Sequence, residues 1–151
     1  AKHLDESSKL KGIVKNRHLV VDSLTADLDH FEVALENAVP TGGTRKLLKE
    51  MARMDKESPC ALLGILYVLE GSTHGAKYMV SKLRDGLGLK DRIGASYFDR
   101  YQDAQMPNWL EFKADMNAAE FDQDESQAIV DSAKRTFAAF FEIGNDLMAI
   151  R

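Results

Sequence analysis

Apolar residues recur every three or four positions along most of the chain, which is the period of one face of an α-helix. The clearest run predicts an amphipathic helix over residues 21–35, whose apolar face contains Val21, Leu24, Leu28, Phe31 and Leu35. Alternation with a period of two, which is typical of a half-buried strand, does not persist. The pattern therefore predicts an all-α fold, a multi-helix bundle formed by a single domain over residues 1–151.

Spacing and helix-end residues predict the other elements. An initial helix carries Leu4, Leu10, Ile13 and Val14. The segment PTGGT at 40–44 is typical of a loop, and Thr44 is the predicted cap of a third helix. A long central helix is predicted to open with Ser58 as N-cap and Pro59 in its first turn, and to end near Leu83. A short helix is expected around 109–116. A last helix from about Asp124 is expected to hold, on or near one face, Ile129, Val130, Ala133, Phe137, Phe140 and Phe141.

Composition narrows the classes of function. The chain has 151 residues, of which 44% are apolar and 29% charged, as in an ordinary globular domain. Its net charge is −4 and its basic residues are scattered, so we expect no nucleic-acid partner. We also expect a cytoplasmic protein, because no apolar run can span a bilayer and the first residues lack the apolar stretch of a signal peptide. Cys60 is the only cysteine, which excludes an internal disulfide and a cysteine-based zinc site.

The stretch LYVLEGSTHGAK at 66–77 places Gly71 and Gly75 four positions apart within the central helix. A glycine inside a helix costs about 1 kcal/mol relative to alanine, so both positions need a reason. Either another helix packs closely against them, or a flat ligand lies on backbone that side chains would otherwise cover. The Ser-Thr-His sequence between them lacks the spacing and the preceding strand of a serine hydrolase. The four histidines are too dispersed for a zinc motif.

The longer segment LYVLEGSTHGAKYMVSKLRDGLGL resembles the distal helix of the biliverdin-producing heme oxygenases, most closely the bacterial branch associated with bacteriophytochromes. Shorter matches occur in the order expected of that family and cover nearly the whole chain: FEVALEN at 31–37, which resembles its second-helix segment, YFDRY at 97–101, Trp109 with Phe112, and AKRTFAAF at 133–140. The resemblance implies a heme oxygenase-like helical domain that holds heme between a proximal and a distal helix.

The resemblance also implies roles for residues of the distal helix. Gly71 and Gly75 match the glycines whose backbone approaches the iron-bound oxygen, which would leave space for porphyrin and O2. Ser72 stands where animal heme oxygenases have an aspartate that organises distal water; a hydroxyl still holds a water but carries no charge. Ala76 replaces the second glycine of the family's pair, and His74 replaces a small residue just before that pair.

Outside the distal helix, the resemblance implies two further contacts with heme. Lys113 matches a basic residue that reaches a heme propionate, and Phe137 matches a phenylalanine that lines the pocket.

The ligand of the heme iron has two candidates. The family's first helix reads His, two residues, an apolar residue and an acidic residue; aligning Leu4-Asp5 with the last two puts Ala1 at the ligand position. His3 becomes the metal ligand if the register shifts by two residues, which is a turn of about 200° around a helix. His74, which would project from the distal helix toward the same cavity, is the other candidate.

Taken together, the resemblance implies an enzyme that opens heme, its substrate and cofactor, to biliverdin, carbon monoxide and ferrous iron. It implies O2 as oxidant, a ferredoxin or a reductase as electron donor, and a bacteriophytochrome as a candidate acceptor of the bilin. Two alternatives stay open. One is a heme- or bilin-binding protein of the same fold without turnover, used for sensing or carriage, which Ala76, His74 and the alignment of Ala1 with the ligand position favour. The other is a helical interaction domain in which the glycines serve packing.

Overall fold

A computed structural model describes residues 8–90 and 92–150. Its six α-helices are α1 Ser8–Ile13, α2 Val21–His30, α3 Gly42–Glu57, α4 Leu62–Leu87, α5 Gln105–Ala118 and α6 Gln123–Ala149. Single 3-10 turns occur at Asn16–His18, Leu35–Asn37, Pro59–Ala61 and Gln102–Ala104. None of the helices in these ranges has both the length and the apolar composition needed to cross a bilayer. The described residues contain no β-strand, so the prediction of an all-α fold is confirmed.

Side-chain caps begin α3 and α6. The Thr41 hydroxyl oxygen accepts the Thr44 backbone N–H at 3.2 Å, so Thr44 lies in the first turn of α3 and the prediction that it caps the helix is wrong. Before α6, Asp122 and Glu125 form a capping box in which each carboxylate accepts the other residue's backbone N–H, at 2.8 and 2.9 Å. Both caps bond N–H groups that the first turn of a helix leaves without partners.

The prediction that α2 continues to Leu35 is wrong. Glu32 has a φ of 56°, in the left-handed region, and turns the chain away from the helix axis. The N–H groups of Glu32 and Val33 then donate to the carbonyls of Asp29 and Leu28 at 3.1 and 3.0 Å, which is the Schellman closure of a helix. The FEVALEN segment therefore follows the helix instead of forming it, although its apolar spacing continues the helical pattern.

The long central helix α4 differs from its predicted bounds at both ends. Pro59–Ala61 forms a separate 3-10 turn, and Ser58 makes no side-chain cap bond. At the other end the helix continues past Leu83, because the closing residue is Gly88, whose φ of 63° allows the next N–H to reach the Arg84 carbonyl at 2.9 Å. The quoted glycine stretch lies wholly within this helix.

The described contacts divide the chain into two compact units. The first unit includes α1 as far as Gly12, Val39–Leu69 and the chain from Ala119, and so contains α3, the beginning of α4 and α6. The second unit consists of Ile13–Ala38 and Glu70–Ala118, and so contains α2, the rest of α4 and α5. The single-domain assignment over 1–151 stays a prediction.

The first unit has an apolar core around Met54, Ala61 and Ile65, with Met51, Leu62, Leu69 and Ala128 packed against it. Here α4 meets α6 at Gly64, where an added Cβ atom would lie 2.2 Å from the Ile129 carbonyl oxygen. The buried positions of α6 are Ile129, Ser132 and Thr136, whereas Val130, Phe137 and Phe141 are exposed. The six residues expected on or near one face of this helix are therefore not buried together.

The second unit combines an apolar centre with buried polar groups. Phe112 is fully buried, and Val80, Ala95 and Tyr101 are buried with it in this unit. The buried polar residues of the same unit are His18, Asp27, Glu70 and Thr73. Because buried polar groups need partners, their hydrogen bonds determine how the loop between α4 and α5 is held.

Candidate functional site

Gly71 and Gly75 are not packing positions of the kind seen at Gly64. A Cβ atom added to Gly75 would meet no described atom within 4 Å, and one added to Gly71 would meet the Trp109 ring at 3.7 Å, an ordinary contact. Gly75 lies instead on a cavity of about 230 Å³ within the second unit. The geometry therefore favours backbone that is open to a ligand over close packing of another helix.

The cavity is formed by one face of α4 and by the loop that follows it. The loop contributes Tyr97, Phe98 and Arg100, none of which the sequence identified as a site residue. The helix contributes Ser72, Thr73, Gly75, Ala76 and Met79. Two of the three predicted catalytic residues, Ser72 and Gly75, therefore share one cavity, and the third, Gly71, lies one helical turn from Gly75.

Asp27 of α2 holds the loop that carries the cavity wall. Its carboxylate accepts the backbone N–H of Ser96 at 2.9 Å, the Ser96 hydroxyl at 2.7 Å and the backbone N–H of Tyr97 at 2.7 Å. Three hydrogen bonds to one buried carboxylate fix the start of the segment that ends in Arg100. Nothing in the hydrophobic pattern of the sequence pointed to this residue.

A buried ion pair lies at the end of this segment. The Arg100 guanidinium donates to a Glu70 carboxylate oxygen at 2.8 Å, and the two side chains are 8% and 3% exposed. Burial by itself lowers the pKa of Arg100, but the Tyr101 hydroxyl and the Glu70 carboxylate outweigh it and raise that pKa above its ordinary value. Arg100 is therefore a permanent cation, placed 5.4 and 4.9 Å from the ring centres of Tyr97 and Tyr101.

His74 belongs to a second polar group beside the glycines. Its Nδ1 lies 3.2 Å from the Gly71 carbonyl oxygen and 3.4 Å from the Gln105 amide nitrogen. The same amide nitrogen donates to the Thr73 hydroxyl, which in turn donates to the Glu70 carbonyl at 2.6 Å. In the tautomer that donates from Nδ1 to Gly71, the imidazole Nε2 keeps its lone pair and can bind a metal.

The Trp109 ring lies beside the other predicted site residues of the second unit. Its ring lies edge-on to His74, with ring centres 5.4 Å apart, and Lys113 Nζ lies 5.4 Å from a Trp109 ring centre. Gly71, His74 and Lys113 are therefore grouped around one indole. A cation one turn along α5 from that indole is placed to meet a carboxylate of a ligand bound beside it.

His18 is a buried histidine that the sequence left without a role. Its Nδ1 accepts the Lys15 backbone N–H at 3.1 Å, its ring meets Phe112 edge-on, and its Nε2 is buried without a hydrogen-bond partner. Burial lowers the pKa of this imidazole below its ordinary value, a shift that Glu70 opposes and Arg17, Arg100 and Lys15 reinforce. The ring is therefore neutral at pH 7.

Two predicted site residues are not part of this group. His3 lies outside the described residues, and Phe137 is on α6 in the first unit with its side chain 63% exposed. In residues 8–90 and 92–150, no group of three or more His, Cys, Asp or Glu side chains is arranged to hold a metal ion. The roles of His3 and Phe137 stay predictions.

Comparison with models of protein families gives a match over nearly the whole chain. The family model for heme oxygenase matches residues 2–146, which include all six helices but for the last residues of α6. Neither the curated proteins nor the solved structures gave a significant match. The match covers far more than half of the chain and agrees with its all-α architecture. This chain belongs to the heme oxygenase family.

Proposed function

We propose that this protein opens heme to biliverdin, carbon monoxide and ferrous iron, and that it belongs to the bacterial branch associated with bacteriophytochromes. Membership of the family implies heme binding and a heme-degrading activity. The observation that carries the proposal further is the open backbone at Gly75, which borders a cavity on the helix whose sequence resembles the family's distal helix. The products, the electron donor and the branch are the parts that we propose.

The cavity of about 230 Å³ has a lining that suits one edge of a flat, mainly apolar molecule. Gly75 offers bare backbone, and Tyr97 and Phe98 supply aromatic walls. Arg100 and Lys113 supply cations, and Nε of Arg100 is buried without a partner. A porphyrin with two carboxylates would present anionic groups to these cations.

Heme supplies the iron at which O2 is reduced, with electrons from a separate ferredoxin or reductase. The chain's contribution is to bind and orient. Gly75 leaves open backbone for a macrocycle beside the helix, and Lys113 would pair with a carboxylate and so select one orientation. The Ser72 hydroxyl lies at the cavity and would hold a water there. The loop rings of Tyr97 and Phe98 limit the entry of bulk water.

For the iron ligand we propose His3, with His74 as the alternative. The 3.2 Å contact between Nδ1 of His74 and the Gly71 carbonyl oxygen supports the alternative, because in the tautomer that donates this bond Nε2 keeps a lone pair for a metal. His3→Ala and His74→Ala, each loaded with hemin, separate the two, because removal of the iron ligand changes the absorption spectrum of the bound hemin. An unchanged spectrum in both variants would reject both assignments.

One titration tests the function. Hemin is added to the purified protein, the Soret band is recorded, and reductant is supplied under air. We expect a saturable band that bleaches to the spectrum of a bilin with release of carbon monoxide, and we expect a phytochrome apoprotein to take up the product. Lack of a saturable band would contradict the proposal and leave a helical interaction domain.

A second candidate is a heme- or bilin-binding protein without turnover. It is favoured by Ala76, which lines the cavity where the resemblance places a second glycine, and by His74, which would offer the iron a second histidine. Two histidines on one iron would block O2. A stable, low-spin band that does not respond to reductant and air would support this candidate over the enzyme.

A further inference from the structure

Gln105, the first residue of α5, has a side-chain amide whose orientation is determined by its neighbours. The Thr73 hydroxyl donates its only proton to the Glu70 carbonyl at 2.6 Å, so toward any other group it can only accept a hydrogen bond. The Gln105 amide is hydrogen-bonded to that hydroxyl, and it must therefore present its NH2 group and not its carbonyl oxygen. The second N–H of the same amide is then left for another acceptor.

Nδ1 of His74 is that acceptor, because it lies 3.4 Å from the Gln105 amide nitrogen. A ring nitrogen accepts a hydrogen bond only when it carries no proton. This contact therefore requires the proton of a neutral imidazole to lie on Nε2. The Trp109 ring lies edge-on to the imidazole, with ring centres 5.4 Å apart, and limits its rotation away from Gln105.

The Gly71 carbonyl oxygen, 3.2 Å from the same nitrogen, favours the opposite tautomer, with the proton on Nδ1. In that tautomer an N–H of Gln105 would face another N–H. With the proton on Nε2, Nδ1 and the Gly71 oxygen are two acceptors side by side, but each has a donor. Gln105 donates to Nδ1, and the helical hydrogen-bond pattern of α4 supplies the Gly71 carbonyl with the Gly75 N–H. The Nε2–H form thus leaves fewer polar groups without a partner.

We infer that Gln105 holds the neutral His74 ring in the tautomer with its proton on Nε2, and so keeps this histidine from acting as an iron ligand. In this tautomer Nδ1 faces Gln105 and Nε2 carries a proton, so neither nitrogen offers a lone pair to a metal. The consequence for heme rests on the proposed function: His74 stays off the iron and leaves a position open for O2. Gln105 is a positioning residue, because it acts through His74.

The position of the proton is measured by long-range proton–nitrogen NMR correlation spectra of the purified protein without hemin. The pH is one at which the spectra show a neutral His74 ring, and His74→Gln identifies the signals. Gln105→Leu removes the donor, and Gln105→Glu replaces it with an acceptor of the same shape. The matched control is Gln102→Glu, which adds the same charge at an exposed glutamine three positions earlier.

In wild type we expect the Nε2–H form to exceed the Nδ1–H form roughly threefold to tenfold, the ratio that one hydrogen bond between neutral groups supplies. Gln105→Leu should lower that ratio at least about threefold, because only the Gly71 contact remains. Gln105→Glu should reverse it, because a carboxylate accepts the Nδ1 proton. Gln102→Glu should match wild type.

An excess of the Nδ1–H form in wild type would overturn the inference. So would a wild-type ratio in both Gln105 variants, and if one of them does not fold, the other decides. Hemin-loaded Gln105→Glu should also show a larger low-spin fraction in its absorption spectrum than Gln102→Glu, because Nε2 of its His74 has a lone pair for the iron. Equal low-spin fractions would overturn the consequence for heme.

These measurements separate the inference from the function on which its consequence rests. The tautomer ratio is obtained without hemin, so a protein with no saturable Soret band would overturn the proposed function while the ratio still decides the role of Gln105. A normal Soret titration with the same tautomer ratio in wild type and in the Gln105 variants would overturn the inference alone.

Discussion

The two halves of α4 use glycine for opposite purposes. In the first half, Gly64 lets the backbone of α6 approach so closely that an added Cβ would lie 2.2 Å from the Ile129 carbonyl oxygen and 2.8 Å from the Ala133 nitrogen. In the second half, a Cβ atom added to Gly75 would meet no described atom within 4 Å, and the residue borders a cavity. The same residue type in one helix therefore marks a helix contact at one end and a candidate binding surface at the other.

The polar groups follow the same division. The core beside the first half consists of apolar residues such as Met54 and Ile65. Beside the second half lie the buried Glu70–Arg100 ion pair and the buried Thr73 hydroxyl. Buried polar groups need fixed partners and resist rearrangement, whereas apolar groups tolerate repacking. The difference predicts that substitutions in the first half act on stability and those in the second half act mainly on ligand binding, except where the ion pair is broken.

That exception should give the largest effect. Glu70→Leu leaves the buried Arg100 cation without its carboxylate, and we expect the free energy of unfolding to fall by about 3–5 kcal/mol. The measurement is urea denaturation at pH 7. The double variant Glu70→Leu, Arg100→Met should recover most of that loss, because it removes the unpaired charge. A single variant as stable as wild type would show that the pair is not buried in solution.

Next in size is Gly64→Ala. Its Cβ would collide with the backbone of α6, which moves only if the two helices separate, so we expect a loss of about 3 kcal/mol in the free energy of unfolding. The control is Gly86→Ala, on the same helix, whose Cβ would meet no described atom within 4 Å. That variant should be stabilised by up to about 1 kcal/mol. Equal effects of the two alanines would remove the distinction between packed and open glycines.

Gly75→Leu tests the other half of the helix. The larger side chain should occupy the cavity and weaken hemin binding at least about tenfold in Kd. The free energy of unfolding should stay within about 1 kcal/mol of wild type, since nothing is displaced. Soret titration and urea denaturation of the same sample give both values. Strong destabilisation with normal hemin affinity would contradict this assignment of Gly75.

A pH effect of smaller size is expected from His18. Burial lowers its pKa in the folded protein below the ordinary 6.5 of the unfolded chain, so the unfolded chain binds the proton more strongly. The stabilising contribution of the neutral ring is therefore complete above about pH 6.5 and decreases as the pH falls below that value, by at most about 1.4 kcal/mol per pH unit.

Urea denaturation between pH 7.5 and 5 compares wild type with His18→Gln. The variant should lose the part of the slope that His18 causes, and His30→Gln, at an exposed histidine, should keep it. The same slope in wild type and in His18→Gln would contradict a buried neutral ring.

The smallest effect is expected at Gly71. A Cβ there would make an ordinary 3.7 Å contact with Trp109, so Gly71→Ala should leave the fold unchanged or stabilise it by up to about 1 kcal/mol. Thermal unfolding checks this, and hemin titration of the same variant shows how much space the site needs at that position. A loss of several kcal/mol would place Gly71 with Gly64 among the packing glycines.

Much of the architecture was determined by the sequence alone. Apolar residues spaced three and four positions apart predicted the all-α class. The last helix was expected from about Asp124, and α6 begins at Gln123. The segment from Leu66 to Leu89 also carried enough of a known pattern to indicate the heme oxygenase family, which the family match over residues 2–146 bears out.

Helix ends were less accessible from the sequence. Periodicity continues through Phe31 and Leu35, but a left-handed Glu32 closes α2, and its energy depends on a few backbone hydrogen bonds that apolar spacing does not encode. Thr41 and Thr44 are equally good capping residues by composition. Only the extended backbone at Thr41 decided between them.

Only the tertiary structure decided what each glycine and each buried charge is for. Gly64, Gly71 and Gly75 cannot be told apart from the sequence. A glycine indicates that a side chain is absent, but it does not indicate whether a neighbouring helix or a ligand occupies the space. Asp27 bonds Tyr97, and Arg100 bonds Glu70, in each case far along the chain. A hydrogen bond between remote residues produces no periodic pattern in a single sequence. The fold places them, since only folding brings remote donors and acceptors within 3 Å of one another.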